Sequence, residues 1–169
     1  MAPTSASVVV GGVGHLYQGD LDLGRVAVER LRHDDLGSGV VVEEFSYGAV
    51  AVAQRLEELS PQLLVLVGAK ERGREPGTVE RREVTSLPRS PEEVQGAVAD
   101  AITGYIDLEL VLVVASGLGA LPPRVVAIEV EPAATVPSEH LSPEAEAALA
   151  HVLQLVRREL ATARSDGAV

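Results

Sequence analysis

His15, Asp20 and Asp22 follow closely behind the glycines Gly12 and Gly14. An imidazole nitrogen and carboxylate oxygens in one loop could ligate a hard or borderline cation, and Glu43 is a further candidate ligand. The plainer reading of two acids at i and i+2 ahead of a helix is a cap and a first-turn charge interacting with the helix dipole. Gly12-Val13-Gly14 after an apolar run also invites a dinucleotide-binding reading, with Glu43 as the ribose-binding acid. The spacing fails there, because the third glycine position is Tyr17, and no Gly-Lys-Ser/Thr phosphate loop is present. A glycine turn that lets the chain leave a sheet is the simpler role. His33, His140 and His151 are not spaced as a ligand set and read as solvated surface. Ser116 stands in Ala-Ser-Gly and lacks the Gly-x-Ser-x-Gly pattern of a nucleophile turn.

The elements that would position these residues follow from the pattern of the chain. Val8–Val10 reads as a short buried strand bounded by glycine. Asp22 is placed to cap a helix over about 23–33, in which Leu23, Val26, Ala27 and Leu31 share one face. Val40–Val42 is a second strand with Glu43 and Glu44 at its end. Ser46 is expected to cap a helix over 48–59, and Leu63–Val67 is a third strand. The order β-α-β-α-β predicts a parallel sheet with right-handed crossovers. Lys70 to Pro76 reads as a charged loop, Pro76-Gly77 as a turn, and Thr78–Val84 as an edge strand. Ser86–Pro91 is a proline-bearing loop. Pro91, followed by Glu92 and Glu93, starts a helix to about Ala101. Residues 106–118 are rich in valine, and their local propensity favours a strand. Val125–Ile128 is a strand. Ser142-Pro143-Glu144 starts a final helix to about Ala163. Residues 1–6 and 165–169 are expected to be flexible.

Composition narrows the class. The 169 residues suit one domain. The hydrophobic content of 46% supports a core, and the aromatic content of 2% means that it must be built from Val, Leu and Ala. A net charge of −11 argues against nucleic acid as a partner. With no cysteine there are no disulfides, thiolate metal sites or Cys nucleophile. No run approaches the roughly 20 apolar residues that span a bilayer, and Met1-Ala-Pro-Thr-Ser-Ala lacks the features of a signal peptide. The expectation is a soluble, cytoplasmic, acidic protein without a membrane partner.

The ordered series of short motifs resembles the nickel–iron hydrogenase maturation endopeptidases, peptidase family A31. Gly12, Gly14, Leu16, Asp20 and Gly24 fall in register with that family's first strand and loop, with His15 in place of an asparagine. Glu43 to Gly48, the run Leu64–Ala69, Pro76-Gly77-Thr78, the stretch from Gly119 to Glu131-Pro132, and Leu141-Ser142-Pro143 match later segments in order. The resemblance implies an α/β three-layer sandwich around a mostly parallel five-stranded sheet, of the phosphorylase/hydrolase-like kind. It implies a helix rather than a strand near 106–118. It also implies a protein client, since the family removes a C-terminal extension from the hydrogenase large subunit after nickel insertion.

In the family two acids and a histidine contact that nickel. The matching positions here are Leu21, Gly68 and, as the best placement of the histidine, Gly104. Leucine and glycine side chains offer no lone pair, so a site selected for nickel would lose its recognition element. The resemblance therefore implies a metal-free pseudoenzyme that keeps a partner-binding surface. Two alternatives stand beside it. One is an active endopeptidase with a relocated nickel site drawn from His15, Asp20, Asp22 or Glu43. The other is a small-ligand or nucleotide-binding α/β domain with a Gly14-lined cleft.

Overall fold

The computed structural model describes residues 6–85 and 90–167. The elements run β1 (Val8–Gly12), α1 (Leu23–Leu31), β2 (Val40–Glu44), α2 (Ala49–Leu59), β3 (Leu63–Ala69), β4 (Val79–Glu83), α3 (Pro91–Ile102), α4 (Leu108–Gly117), β5 (Arg124–Val130) and α5 (Pro143–Ser165). A single 3-10 turn, Gly19–Asp22, leads into α1. The five strands form one sheet in the order β2-β1-β3-β5-β4. β2, β1, β3 and β5 are parallel, and β4 joins β5 antiparallel at the edge.

Strand alternation divides the core in two. Val8, Val10, Val65, Val67 and Ile128 face α1 and α5, whereas Val9, Leu64, Leu66 and Ala127 face α2 and α4. Successive strand side chains point to opposite faces, so a run such as Leu63–Val67 feeds both layers and must be apolar throughout. Phe45, the one phenylalanine, is fully buried, and the rest of the core is aliphatic.

The glycines of the first loop have a steric reason. A Cβ on Gly12 would lie 2.0 Å from the Gly24 carbonyl oxygen, and one on Gly24 would lie 2.1 Å from that of Val13. α1 begins against the end of β1 at backbone contact distance, which only glycine allows.

Local expectations need three corrections. Residues 108–117 form a helix, not a strand. A continuous apolar run is periodic for neither, and here Asp107 decides by accepting the Leu110 N–H at 2.7 Å as an N-cap. α4 is then buried from Leu110 to Ala115. Ser46 does not cap α2. Gly48 holds the cap position, and the Ser46 hydroxyl accepts the Gly14 N–H at 3.2 Å. Asp22 occupies the N-cap position of α1 but makes no side-chain capping bond, because its carboxylate grips Arg25 with contacts of 2.6–2.9 Å. Most of the proline-bearing 86–91 loop lies outside the described residues, as do 1–5 and 168–169. Ala6 is buried and donates its N–H to Leu59.

Candidate functional site

Strand order reverses around β1: the chain moves from β1 outward to β2, then returns to β3 on the other side. Ligand crevices in open α/β sheets form at the carboxyl ends of the strands flanking such a switch. A cleft of about 150 Å3 lies there, lined by Val13, His15, Leu21, Ala69, Lys70, Glu71, Tyr105 and Asp107. β1 delivers Val13 and His15, β3 delivers Ala69 to Glu71, and the segment entering α4 delivers Tyr105 and Asp107.

The polar groups of the cleft hold one another. The Lys70 ammonium donates to Asp107 Oδ2. The Tyr105 hydroxyl donates to the same carboxylate at 2.9 Å, and Leu110 N–H donates to its other oxygen. Burial alone would raise the Asp107 pKa, but Lys70 and the other donors hold it below the usual carboxylate range. Burial, followed by the Asp107 carboxylate, pushes the Tyr105 phenol up to about 12. Tyr105 therefore stays a hydrogen-bond donor at neutral pH. His15 Nε2 donates to the Ile106 carbonyl, which only accepts, so that nitrogen carries a proton. The imidazole stacks on Tyr105 with centroids 6.0 Å apart.

The residues singled out as an alternative metal site do not converge. Asp20 is fully buried and accepts from Ala133 N–H (2.8 Å), Ala134 N–H (2.9 Å), and Ser142 N–H and Oγ (both 2.7 Å). It braces the first loop against the start of α5. Asp22 is paired with Arg25, and Glu43 is paired with Arg55 at 2.5 Å. Only His15 reaches the cleft. Among the described residues no group of three His, Asp or Glu side chains is arranged to hold a metal ion.

Of Leu21, Gly68 and Gly104, the positions that the resemblance matches to metal contacts, Leu21 lines the cleft. Gly68 lies behind it in β3, where a Cβ would meet Leu108 and the Val13 carbonyl at 3.4 Å. Gly104 is exposed in the turn after α3 with φ +85° and does not line the cleft. The donor set at the cleft does not fit nickel: Leu21 offers no side-chain lone pair and Asp107 is occupied by an ammonium, which leaves His15 Nδ1 and the exposed Glu71 carboxylate, fewer than the three side chains that would hold the ion. The N–H groups of Val13, Gly14 and His15 are not open to a nucleotide phosphate. Val13 N–H donates to Val67, Gly14 N–H to Ser46, and His15 N–H to Leu21.

Sequence reasoning missed Lys70, Tyr105 and Asp107. Lys70 immediately follows the most apolar strand, and Asp107 immediately precedes an apolar run. Both positions are signals, but their meeting is a contact between distant segments. The Glu-Pro segment proves to be a loop anchor. Glu131 accepts from Arg72 N–H at 2.9 Å and Gly73 N–H at 3.1 Å, tying down the loop that carries Lys70. A larger hollow of about 530 Å3 lies between the ends of α1 and α5. Its Arg157 pairs with Asp34, and its Arg164 donates to the Leu36 carbonyl, so both arginines are committed to tying α5 to the end of α1.

No sequence model of a protein family matches the chain, and no curated protein matches it by sequence. Solved structures do. The hydrogenase 2 maturation peptidase from a Thaumarchaeota archaeon is 27% identical with a TM-score of 0.65, covering 90% of this chain and 97% of its own. The hydrogenase maturating endopeptidase HybD from E. coli has a TM-score of 0.70 at 24% identity, covering 95% and 93%. The [NiFe] hydrogenase maturation protease HybD from Thermococcus kodakarensis has a TM-score of 0.60 at 18% identity, covering 90% and 98%. In fold, and along nine-tenths of its length or more, the chain resembles the hydrogenase maturation endopeptidases.

Proposed function

We propose that this chain binds a hydrogenase large subunit, or a related protein client, without cleaving it, as a cytoplasmic single-domain pseudoenzyme of the maturation peptidase type. The likeness to structures named as hydrogenase maturation peptidases supports the client. The observation that carries the loss of cleavage is the composition of the cleft. Where a metal-reading site would need several open carboxylate and imidazole lone pairs, it presents Leu21, an Asp107 carboxylate already bound to the Lys70 ammonium, and His15 Nδ1 and the exposed Glu71 as the remaining donors. An ammonium in that position repels a divalent cation, and without a held metal there is neither carbonyl polarisation nor an activated water. Such a cleft can still position a polypeptide end, with the Lys70–Asp107–Tyr105 cluster as a preformed polar wall. Among the described residues no helix is long and apolar enough to cross a membrane.

The test combines the purified protein with a nickel-loaded large-subunit precursor. Co-elution with the precursor at its full length is expected. Appearance of the shortened subunit would overturn the pseudoenzyme reading, and absence of a complex would overturn the client reading. Nickel alone is a second probe. At a hundredfold excess over its dissociation constant a bound metal stabilises by about 2.7 kcal/mol, so an unchanged melting temperature is expected.

A further inference from the structure

The chain has three tyrosines and no tryptophan, and all three tyrosines are exposed at the carboxyl end of the sheet. Tyr17 follows β1 and is 56% exposed, Tyr47 follows β2 and is 53% exposed, and Tyr105 precedes α4 and is 52% exposed. The loop Gly14–Tyr17 joins them. Gly14 N–H donates to Ser46, next to Tyr47, and the His15 ring stacks on Tyr105. An aromatic-poor protein that leaves every tyrosine on one surface has not placed them there for its core. Tyr17 is also held at φ +66°, a left-handed conformation that non-glycine residues rarely adopt. The backbone around it enforces this: Gln18 N–H donates to His15, and Ser138 N–H donates to the Tyr17 carbonyl. Leu16 beside it and Val136 on the facing loop are also exposed.

Among the described residues, the charges around Tyr47 and Tyr105 are predominantly negative. Glu43 and Glu58 stand near Tyr47 with Arg55 as their shared cation. Asp107 and Glu71 stand near Tyr105 together with the Lys70 ammonium. Among the described residues, acids thus outnumber bases beside both Tyr47 and Tyr105, in a chain of net charge −11. Tyrosine faces backed by carboxylates suit a guanidinium, which can stack on the ring while its edge meets the acid. Tyrosine is also among the residues that dominate protein–protein hot spots.

We propose that the Tyr17, Tyr47 and Tyr105 loops form a docking surface for an arginine-bearing polypeptide segment, which seats next to the switch-point cleft. The surface is argued from this chain alone; that its physiological occupant is a segment of the hydrogenase-type client rests on the reading above. Because the protein has no tryptophan, its tyrosine emission reports on this surface directly.

The probe is a short synthetic Gly-Ser peptide carrying several arginines, compared with the same peptide carrying glutamates. The arginine peptide is expected to change the tyrosine emission and the glutamate peptide to leave it unchanged. Raising NaCl from about 50 mM to about 500 mM should weaken binding, since exposed charges are screened over a few ångströms at the higher value. In anisotropy titrations of the labelled peptide, the combined variant Tyr17→Ala, Tyr47→Ala should bind roughly five- to thirtyfold more weakly. The combined Tyr17→Phe, Tyr47→Phe variant, which keeps the π faces, should bind nearly as well as the parent. An unchanged thermal midpoint confirms that the alanine variant is folded. No binding of the arginine peptide, equal binding of the glutamate peptide, or unaltered affinity of the alanine variant would each overturn the proposal. A large subunit that still binds the alanine variant as tightly would overturn it too, leaving the client reading standing. Tyrosine-dependent binding of the peptide with no binding of any large subunit would do the reverse.

Discussion

Asp20→Asn isolates what a buried carboxylate contributes to this fold. The Asp20 side chain accepts four hydrogen bonds of 2.7–2.9 Å from Ala133, Ala134 and Ser142. Asparagine keeps the shape but turns an NH2 group towards those donors, so at least one buried N–H or O–H loses its acceptor. Hydrogen bonds to a charged group contribute about 1.5–3 kcal/mol each, and stranding a buried donor costs about 1–3 kcal/mol. Because asparagine retains one acceptor oxygen, the net loss is about 2–4 kcal/mol. With a urea dependence near 2 kcal/mol per molar, the midpoint falls by about 1–2 M at pH 7, read by far-UV circular dichroism. The pH dependence gives an independent check. Burial would raise the Asp20 pKa, yet the four donors hold it below the unfolded value of 3.8. Between those two pKa values the unfolded state binds the proton and the folded state does not, so stability falls as pH falls. The Asp20 contribution is therefore complete above about pH 5, and it disappears as pH drops through the folded pKa. The gap between parent and variant should narrow below about pH 4. A variant midpoint within about 0.3 M of the parent at pH 7, or a gap that stays constant into acid, would refute this account.

Gly24→Ala should fail more severely, because its Cβ would meet the Val13 and Val67 carbonyl oxygens at 2.1 and 2.5 Å. A loss of about 3 kcal/mol or more, or no soluble folded protein, is expected from denaturant titration. Glu129→Gln removes the anion that Arg72, Arg74 and Arg82 surround at 2.6–3.3 Å, with the Glu129 side chain 2% exposed. Unfolding experiments should show a cost of about 3–5 kcal/mol. Lys70→Met leaves the half-buried Asp107 with its two other donors, so a cost of about 1–3 kcal/mol is expected. In the same variant NMR titration should find the Asp107 pKa higher than in the parent, since its ammonium partner is gone.

Much of the fold was legible because it depends on patterns that a chain carries locally. The valine and leucine runs, the helix faces and the turn glycines are properties of adjacent residues, and their order alone implies parallel crossovers. The Ser142 cap of α5 was readable for the same reason: its hydroxyl accepts from Ala145 N–H, three residues away. The 108–117 segment was not readable from propensity, since valine favours strands but burial on all sides suits either element. Ser46 looked like a cap because the nearest donors in sequence belong to α2. In the folded chain a nearer donor comes from Gly14, and that contact spans 32 positions.

The cleft divides along the same line. That the side chains of Leu21 and Gly68 cannot ligate a metal follows from residue type alone, and no folding can change it. What stands in their place was a tertiary matter. Lys70 and Asp107 are 37 positions apart and meet only because β3 and the start of α4 end at the same edge of the sheet. Asp20 shows the converse, being removed from any ligand set by donors more than 110 positions away. Side-chain chemistry is written in the sequence one residue at a time. Which lone pairs remain free, and which are taken by a neighbour, is decided only when distant segments are brought within hydrogen-bonding distance.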